Sequence, residues 1–93
     1  MDAARLGDVA AENNVGQMYE TGRGAPANGG EAFAWYKRAA EAGLGSAQVN
    51  LARSYIEGRG TSPDRAAAIF WLERAQKQGV AEAGKLLEWL AAH

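Results

Sequence analysis

Few side chains in this sequence are equipped for chemistry. The chain has 93 residues, no cysteine, and one histidine, His93, which is its last residue. Disulfides, thiolate zinc sites and cysteine nucleophiles are therefore excluded, and a Ser–His triad or paired-histidine metal site has too few members. Asp8 and Glu12 stand four positions apart, and a carboxylate pair can act as acid and base. Nothing in the sequence places them in a cleft, so no catalytic residue, cofactor or metal is expected. Arg23 and Arg59 each sit between two glycines, in Gly22-Arg23-Gly24 and Gly58-Arg59-Gly60. A glycine-rich turn can offer backbone N–H groups to an anion. These triplets, however, lack the Lys-Ser/Thr of a phosphate loop and follow a helical pattern, not a strand. A structural or solvated role is expected for both arginines. The repeated Asn14 and Asn50 are likewise expected to satisfy backbone groups of an adjoining turn or helix end.

Composition narrows the classes further. Hydrophobic residues make up 47% and charged residues 23%, the balance of a folded globular domain. Ten Lys and Arg against eleven Asp and Glu give a net charge of -1, which offers no electrostatic footprint for nucleic acid. No apolar run has the length of a membrane span, so no membrane insertion is expected. Met1-Asp2 opens without the basic and apolar stretches of a signal peptide. A full-length chain would then be cytoplasmic, and a mature fragment periplasmic or secreted.

The elements that must position any functional residue are set by an internal repeat. Shifting the chain by 36 positions lays 14–49 over 50–85 with eleven identical pairs, among them Asn14/Asn50, Tyr19/Tyr55, Gly22/Gly58, Gly24/Gly60, Trp35/Trp71, Arg38/Arg74 and Gly43/Gly79. The register extends outward, so residues 2–7, with Ala3 and Gly7, read as the tail of an earlier unit. Each unit reads as two helices. Apolar or small residues at Ala11, Val15, Met18 and Tyr19 give one face to a helix over 8–20. Gly22 should end it in left-handed geometry. A second helix is expected over 31–42, with Asn28 before it as a cap or Asx-turn residue and Gly29-Gly30 extending the loop and blurring the start. The second unit predicts helices over 46–57, capped by Ser46, and 65–78, capped by Asp64. A last helix is expected over 81–92. The fold class is therefore all-α, a right-handed α/α superhelix of antiparallel helix pairs. The whole of 1–93 reads as one domain, with repeats at about 11–46 and 47–82 and terminal half-repeats. Alanine columns such as Ala47/Ala83 and Ala39/Ala75 let helices approach, while Tyr19, Tyr55, Trp35 and Trp71 fill the spaces between pairs.

The stretch Asn14-Val15-Gly16-Gln17-Met18-Tyr19, the Gly22-Arg23-Gly24 turn, and Ala32-Phe33-Ala34-Trp35-Tyr36-Lys37-Arg38-Ala39-Ala40 through Gly43 together resemble the Sel-1-like repeat, a relative of the tetratricopeptide repeat. The second copy departs slightly, with Leu72 where the pattern has Tyr and Gln76 where it has Ala. The resemblance implies a helical solenoid acting as a protein-interaction scaffold or adaptor. Some cysteine-rich relatives are linked to β-lactam binding or hydrolysis, and the absence of cysteine disfavours that reading here.

A binding surface is expected on the first helix of each pair, which usually lines the concave side of a solenoid. Its columns that vary between units are Gln17/Arg53/Trp89, Asn13/Val49/Lys85 and Glu20/Ile56. Asn13, Gln17, Glu20, Val49, Arg53, Ile56 and Trp89 are therefore the candidate contacts for a protein or peptide partner. The same positions also suit an ordinary solvated face with scattered apolar residues. Trp89 has three readings: an end cap, a self-association contact or a partner anchor. Two units with half-units are near the minimum for a stable solenoid, so pairing of stack ends in a homodimer is an alternative. A small antagonist or immunity-type protein is another. His93 is expected to be a frayed terminal residue.

Overall fold

A computed structural model describes residues 8–93, so the expected tail at 2–7, with Ala3 and Gly7, lies outside the described residues. Five helices follow one another: α1 Val9–Thr21, α2 Gly29–Glu41, α3 Gly45–Glu57, α4 Arg65–Lys77 and α5 Ala81–Ala92. Among the described residues there is no strand, and no helix is long and apolar enough to cross a membrane. Each helix packs chiefly on its neighbours in sequence, giving an all-α solenoid of helix pairs measuring 39 × 24 × 17 Å.

Two kinds of connection alternate, and each has its own chemistry. The long ones, α1 to α2 and α3 to α4, begin at Gly22 and Gly58, whose φ of 78° and 70° end the helices in left-handed geometry. They finish at Asn28 and Asp64. Each of these carboxamide or carboxylate caps accepts from a backbone N–H three residues on, Glu31 at 3.1 Å and Ala67 at 3.0 Å. The same two residues donate their own N–H back to Tyr19 O at 2.8 Å and Tyr55 O at 2.9 Å, closing the loop. The short connections, α2 to α3 and α4 to α5, use Gly43 and Gly79 with φ of 103° and 86°. Here Leu44 N donates to Ala39 O and Val80 N to Ala75 O, at 3.1 and 3.2 Å.

Ser46 does not cap α3. The helix begins at Gly45, preceded by Leu44, which makes no side-chain cap. The short turn needs an apolar residue there, since Leu44 packs against the core of the first unit and Val80 against that of the second. α2 also starts earlier than expected, taking Gly29 and Gly30 into its first turn.

The core lies in two clusters joined end to end. One holds Ala32, Tyr36, Ala39, Ala40, Ala47 and Leu51; the other holds Val49, Ala52, Ala68, Leu72, Ala75, Ala83 and Leu90. Tyr55 and Trp71 touch both. The alanine columns are fully buried, as close helix approach requires. The large buried residues are Tyr36, Leu51, Leu72 and Val49, whereas Trp35 and Trp71 are only half-buried. Their rings are instead covered by arginines one turn on: Arg38 lies 5.0 Å from the Trp35 ring, and Arg74 lies 5.7 Å from Trp71 and 4.9 Å from Phe70. Met18, expected on the buried face of α1, is 36% exposed.

Candidate binding groove

Solenoid stacking sets α1, α3 and α5 side by side, with Gln17, Arg53 and Trp89 in one column across them. Two clefts open along this face. The cleft between α1 and α3 encloses about 610 Å³ and is lined by Asn14, Gln17, Glu20, Arg23, Asn50, Arg53 and Arg59, with Met18 and Thr21. The cleft between α3 and α5 encloses about 220 Å³ and is lined by Arg53, Ile56, Glu57, Leu86 and Trp89. Arg53 borders both, so the two clefts adjoin along this face, here termed the groove.

The first cleft is polar and braced from beneath. Tyr36 lies buried in α2, and its hydroxyl donates to Glu20 Oε1. The other oxygen of Glu20 accepts from Arg59 Nη1 at 2.6 Å, and Arg59 Nη2 pairs with Glu57 at 3.0 Å. Arg59 thus reaches from the turn of the second unit to α1 of the first. Asn50 Nδ2 donates to Asn13 Oδ1 at 2.9 Å, a second tie between the same helices. Asn50 therefore satisfies a side chain in the next helix and not the backbone group expected of it. Asn14, its counterpart in the first unit, is exposed. Arg23 is exposed in its turn and makes no ion pair with any described residue.

Of the seven residues expected to meet a partner, Gln17, Glu20, Arg53, Ile56 and Trp89 line the groove. The other two do not. Val49 is 1% exposed and belongs to the core of the second unit. Asn13 is 6% exposed and spends its carbonyl on Asn50. Their column faces the neighbouring helix, and burial there removes both from any surface. Arg53 is held in place by an ion pair with Glu82 of α5. Trp89 is 47% exposed, and its ring stacks on that of His93 with centroids 4.2 Å apart. The His93 ring packs on Trp89, and its Nδ1 also lies 2.8 Å from Trp89 O. Behind this pair a third hollow of about 420 Å³ is bordered by Tyr55, Pro63, Arg65 and Leu90.

Asn14, Arg23, Asn50, Arg59 and Leu86 also line the groove but were not among the expected contacts. Their repetition in register (Asn14/Asn50, Arg23/Arg59) reads as structural. It is structural for Asn50 and Arg59, which hold the units together and face the cleft as well.

Neither carboxylate of the acid–base candidate pair is available for chemistry. Asp8 Oδ1 accepts from Ala11 N at 3.1 Å as the cap of α1. Glu12 is buried and pairs with Arg38 at 2.9 Å. Among the described residues no group of three or more His, Asp or Glu is placed to hold a metal ion.

The Tyr36 phenol is held well above its ordinary value of 10.0, first by burial and then by its hydrogen bond to the Glu20 carboxylate. The folded chain therefore keeps a proton that the unfolded chain releases near pH 10. This contribution to stability is complete below about pH 10 and is lost as pH rises beyond it. Urea unfolding from about pH 9 to about pH 12 should show a steeper alkaline loss for wild type than for Tyr36→Phe. Parallel profiles would refute the assignment.

The comparisons agree with this architecture. The family model described as Sel1 repeat matches twice, at residues 9–44 and 45–80. Among curated proteins, none matches. A crystal structure of a Sel1 repeat protein from Oxalobacter formigenes is similar over 86% of this chain, at 41% identity and a TM-score of 0.84. This chain spans 60% of that protein's length. A protective antigen present in uropathogenic Escherichia coli strains, which displays an SLR fold, is similar over 87% of this chain at 40% identity and a TM-score of 0.85. This chain covers 17% of it. Sel1 repeat proteins are in general protein-interaction modules and typically non-catalytic. With both 36-residue units matched and the helix pairs stacked as they are, the chain belongs to the Sel1 repeat family.

Proposed function

We propose that this chain is a non-catalytic adaptor that holds a segment of a partner protein along the groove of α1, α3 and α5. The observation that carries this reading is that two clefts of different chemistry adjoin at Arg53. A polar cleft next to an apolar one gives both orientation and anchoring. The half-exposed Trp89 is the kind of aromatic that dominates interface energetics. Gln17, Glu20, Arg53, Ile56 and Trp89 are the contacts on this reading.

The test is affinity capture with the wild type, with Arg53→Ala/Trp89→Ala, and with a Lys37→Ala/Phe70→Ala control on α2 and α4, away from the groove. A partner bound by wild type and control but lost with the groove variant supports the proposal. Equal capture by all three would sink it. A second copy of the chain is the other occupant that an exposed Trp89 accommodates. Light scattering across a range of concentrations separates the two, because only self-association gives a mass that rises with concentration.

A further inference from the structure

We infer that the groove selects an extended peptide bearing an acidic side chain about three residues from an apolar one. This rests on the groove being the partner site and adds the chemistry of what it takes. The first cleft is lined by three guanidinium groups, Arg23, Arg53 and Arg59, against one carboxylate, Glu20. The whole chain carries a net charge of -1, and Arg53 and Arg59 have carboxylate partners, so among the described residues the positive charge left over in this cleft is that of Arg23.

The three arginines are not equally engaged. Arg59 spends both terminal nitrogens, on Glu20 and Glu57. Arg53 commits Nη2 to Glu82, which leaves other N–H donors of its guanidinium to face the cleft. Arg23 is exposed and unpaired among the described residues. The amides of Asn14, Gln17 and Asn50 add further donors. Glu20 already accepts from both Tyr36 and Arg59, so its negative charge is offset from beneath. The cleft therefore offers a surplus of donors, and the complementary group is an acceptor with two oxygens, a carboxylate.

The second cleft is of the opposite kind. Ile56, Leu86 and the Trp89 ring form its walls, and its 220 Å³ suits a single apolar side chain. The two clefts lie on successive helix-to-helix intervals, about 10 Å apart. An extended chain in the polyproline II conformation advances about 3.1 Å per residue with three residues per turn, so side chains three residues apart lie on one face about 9 Å from each other and can enter both clefts. Arg53 sits at the divide and can reach the backbone or the carboxylate between them.

The experiment is selection of random decapeptides displayed on phage against the immobilised full chain. Fluorescence anisotropy of the enriched peptides with wild type, Arg23→Gln and Arg53→Ala/Trp89→Ala follows. Arg23 is exposed and bears no described partner, so Arg23→Gln leaves the fold intact. The expected consensus pairs Asp or Glu with Leu, Ile, Met or Phe about three positions away. Glutamine in place of the peptide's acidic residue, or Arg23→Gln in the protein, should weaken binding about tenfold. Enriched peptides that lack an acidic residue but still depend on Arg53 and Trp89 would overturn the acidic preference and leave the groove standing. Peptides indifferent to the double variant, or no enrichment at all, would overturn the groove and this inference together.

Discussion

Gly60→Ala should destabilise the fold by about 2–5 kcal/mol, whereas Gly24→Ala, the same change in the same column of the other unit, should cost only the backbone strain of about 1–2 kcal/mol. Both glycines have a left-handed backbone, with φ of 77° and 80°, so a Cβ is strained at either position. What differs is the space. A Cβ at Gly60 would lie 2.1 Å from Gly29 O and 2.6 Å from Gly29 C, so backbone would have to move. At Gly24 it would meet only the terminal methyl of Met18, at 2.9 Å, and that flexible side chain is partly exposed and can give way. Moving the Gly58–Gly60 turn off α2 would also withdraw Arg59 from Glu20, adding the loss of an inter-unit ion pair. Urea unfolding followed by tryptophan fluorescence reads both variants. Each kcal/mol lost corresponds to about 4–8 °C in Tm for a domain of this size. Equal losses for the two glycines would refute the stacked-turn account.

The same contact explains why the second helix of the first unit starts with a glycine. Gly29 receives the Arg59-Gly60 turn, and even its own Cβ would lie 3.1 Å from Arg59 Cγ. The matching residue in the second unit is Arg65. Arg65 carries a long side chain there and donates to Leu90 O near the end of α5. The Gly29-Gly30 pair was read from sequence as loop because glycine breaks helices locally. Its real constraint comes from a turn 30 residues further along the chain, which local rules do not see.

That contrast describes what was legible more generally. Helices, left-handed glycines and the Asn28 and Asp64 caps are local properties, and the 36-residue repeat made each visible twice. Groove membership is not local. Arg59 to Glu20, Asn50 to Asn13 and Gln78 to Gly43 pair residues 39, 37 and 35 positions apart, each bridging successive units. Variation down a column correctly marked Gln17/Arg53/Trp89 as facing outward. It misled at Asn13/Val49, because a column also varies where neighbouring units cover it with different partners, Asn50 for one and an apolar core for the other. Nor does the repeat register foretell that the Trp89 ring stacks on His93.

Gly16→Ala should change sign with its surroundings: destabilising in the wild type and stabilising in Tyr36→Leu. A Cβ at Gly16 would fall 2.6 Å from two ring carbons of Tyr36 and 3.3 Å from Ala32 O. Tyr36 is 1% exposed and tethered to Glu20, so the ring cannot swing aside. Overpacking of this kind costs about 1–3 kcal/mol, set against a gain of about 1 kcal/mol for alanine over glycine within a helix. The ring cannot give way, so the cost lies at the upper end of that range and the net loss is up to about 2 kcal/mol. The second unit already holds the other solution. There Ala52 and Leu72 occupy the matching positions, and both are fully buried in one cluster. Gly16 with Tyr36 and Ala52 with Leu72 are thus two fillings of one site, the larger side chain paired with the smaller. Tyr36→Leu removes the ring, so Gly16→Ala in that background should keep only its helical gain. The double-mutant cycle should show a coupling of at least about 1 kcal/mol. Tyr36→Phe serves as the control, since it removes the hydroxyl and keeps the ring. Gly16→Ala should cost as much beside Phe as beside Tyr, which assigns the coupling to ring volume and not to the Glu20 hydrogen bond. Additive losses in the Tyr36→Leu cycle would mean that the ring yields to the new methyl, and the two units would not be alternative packings of one design.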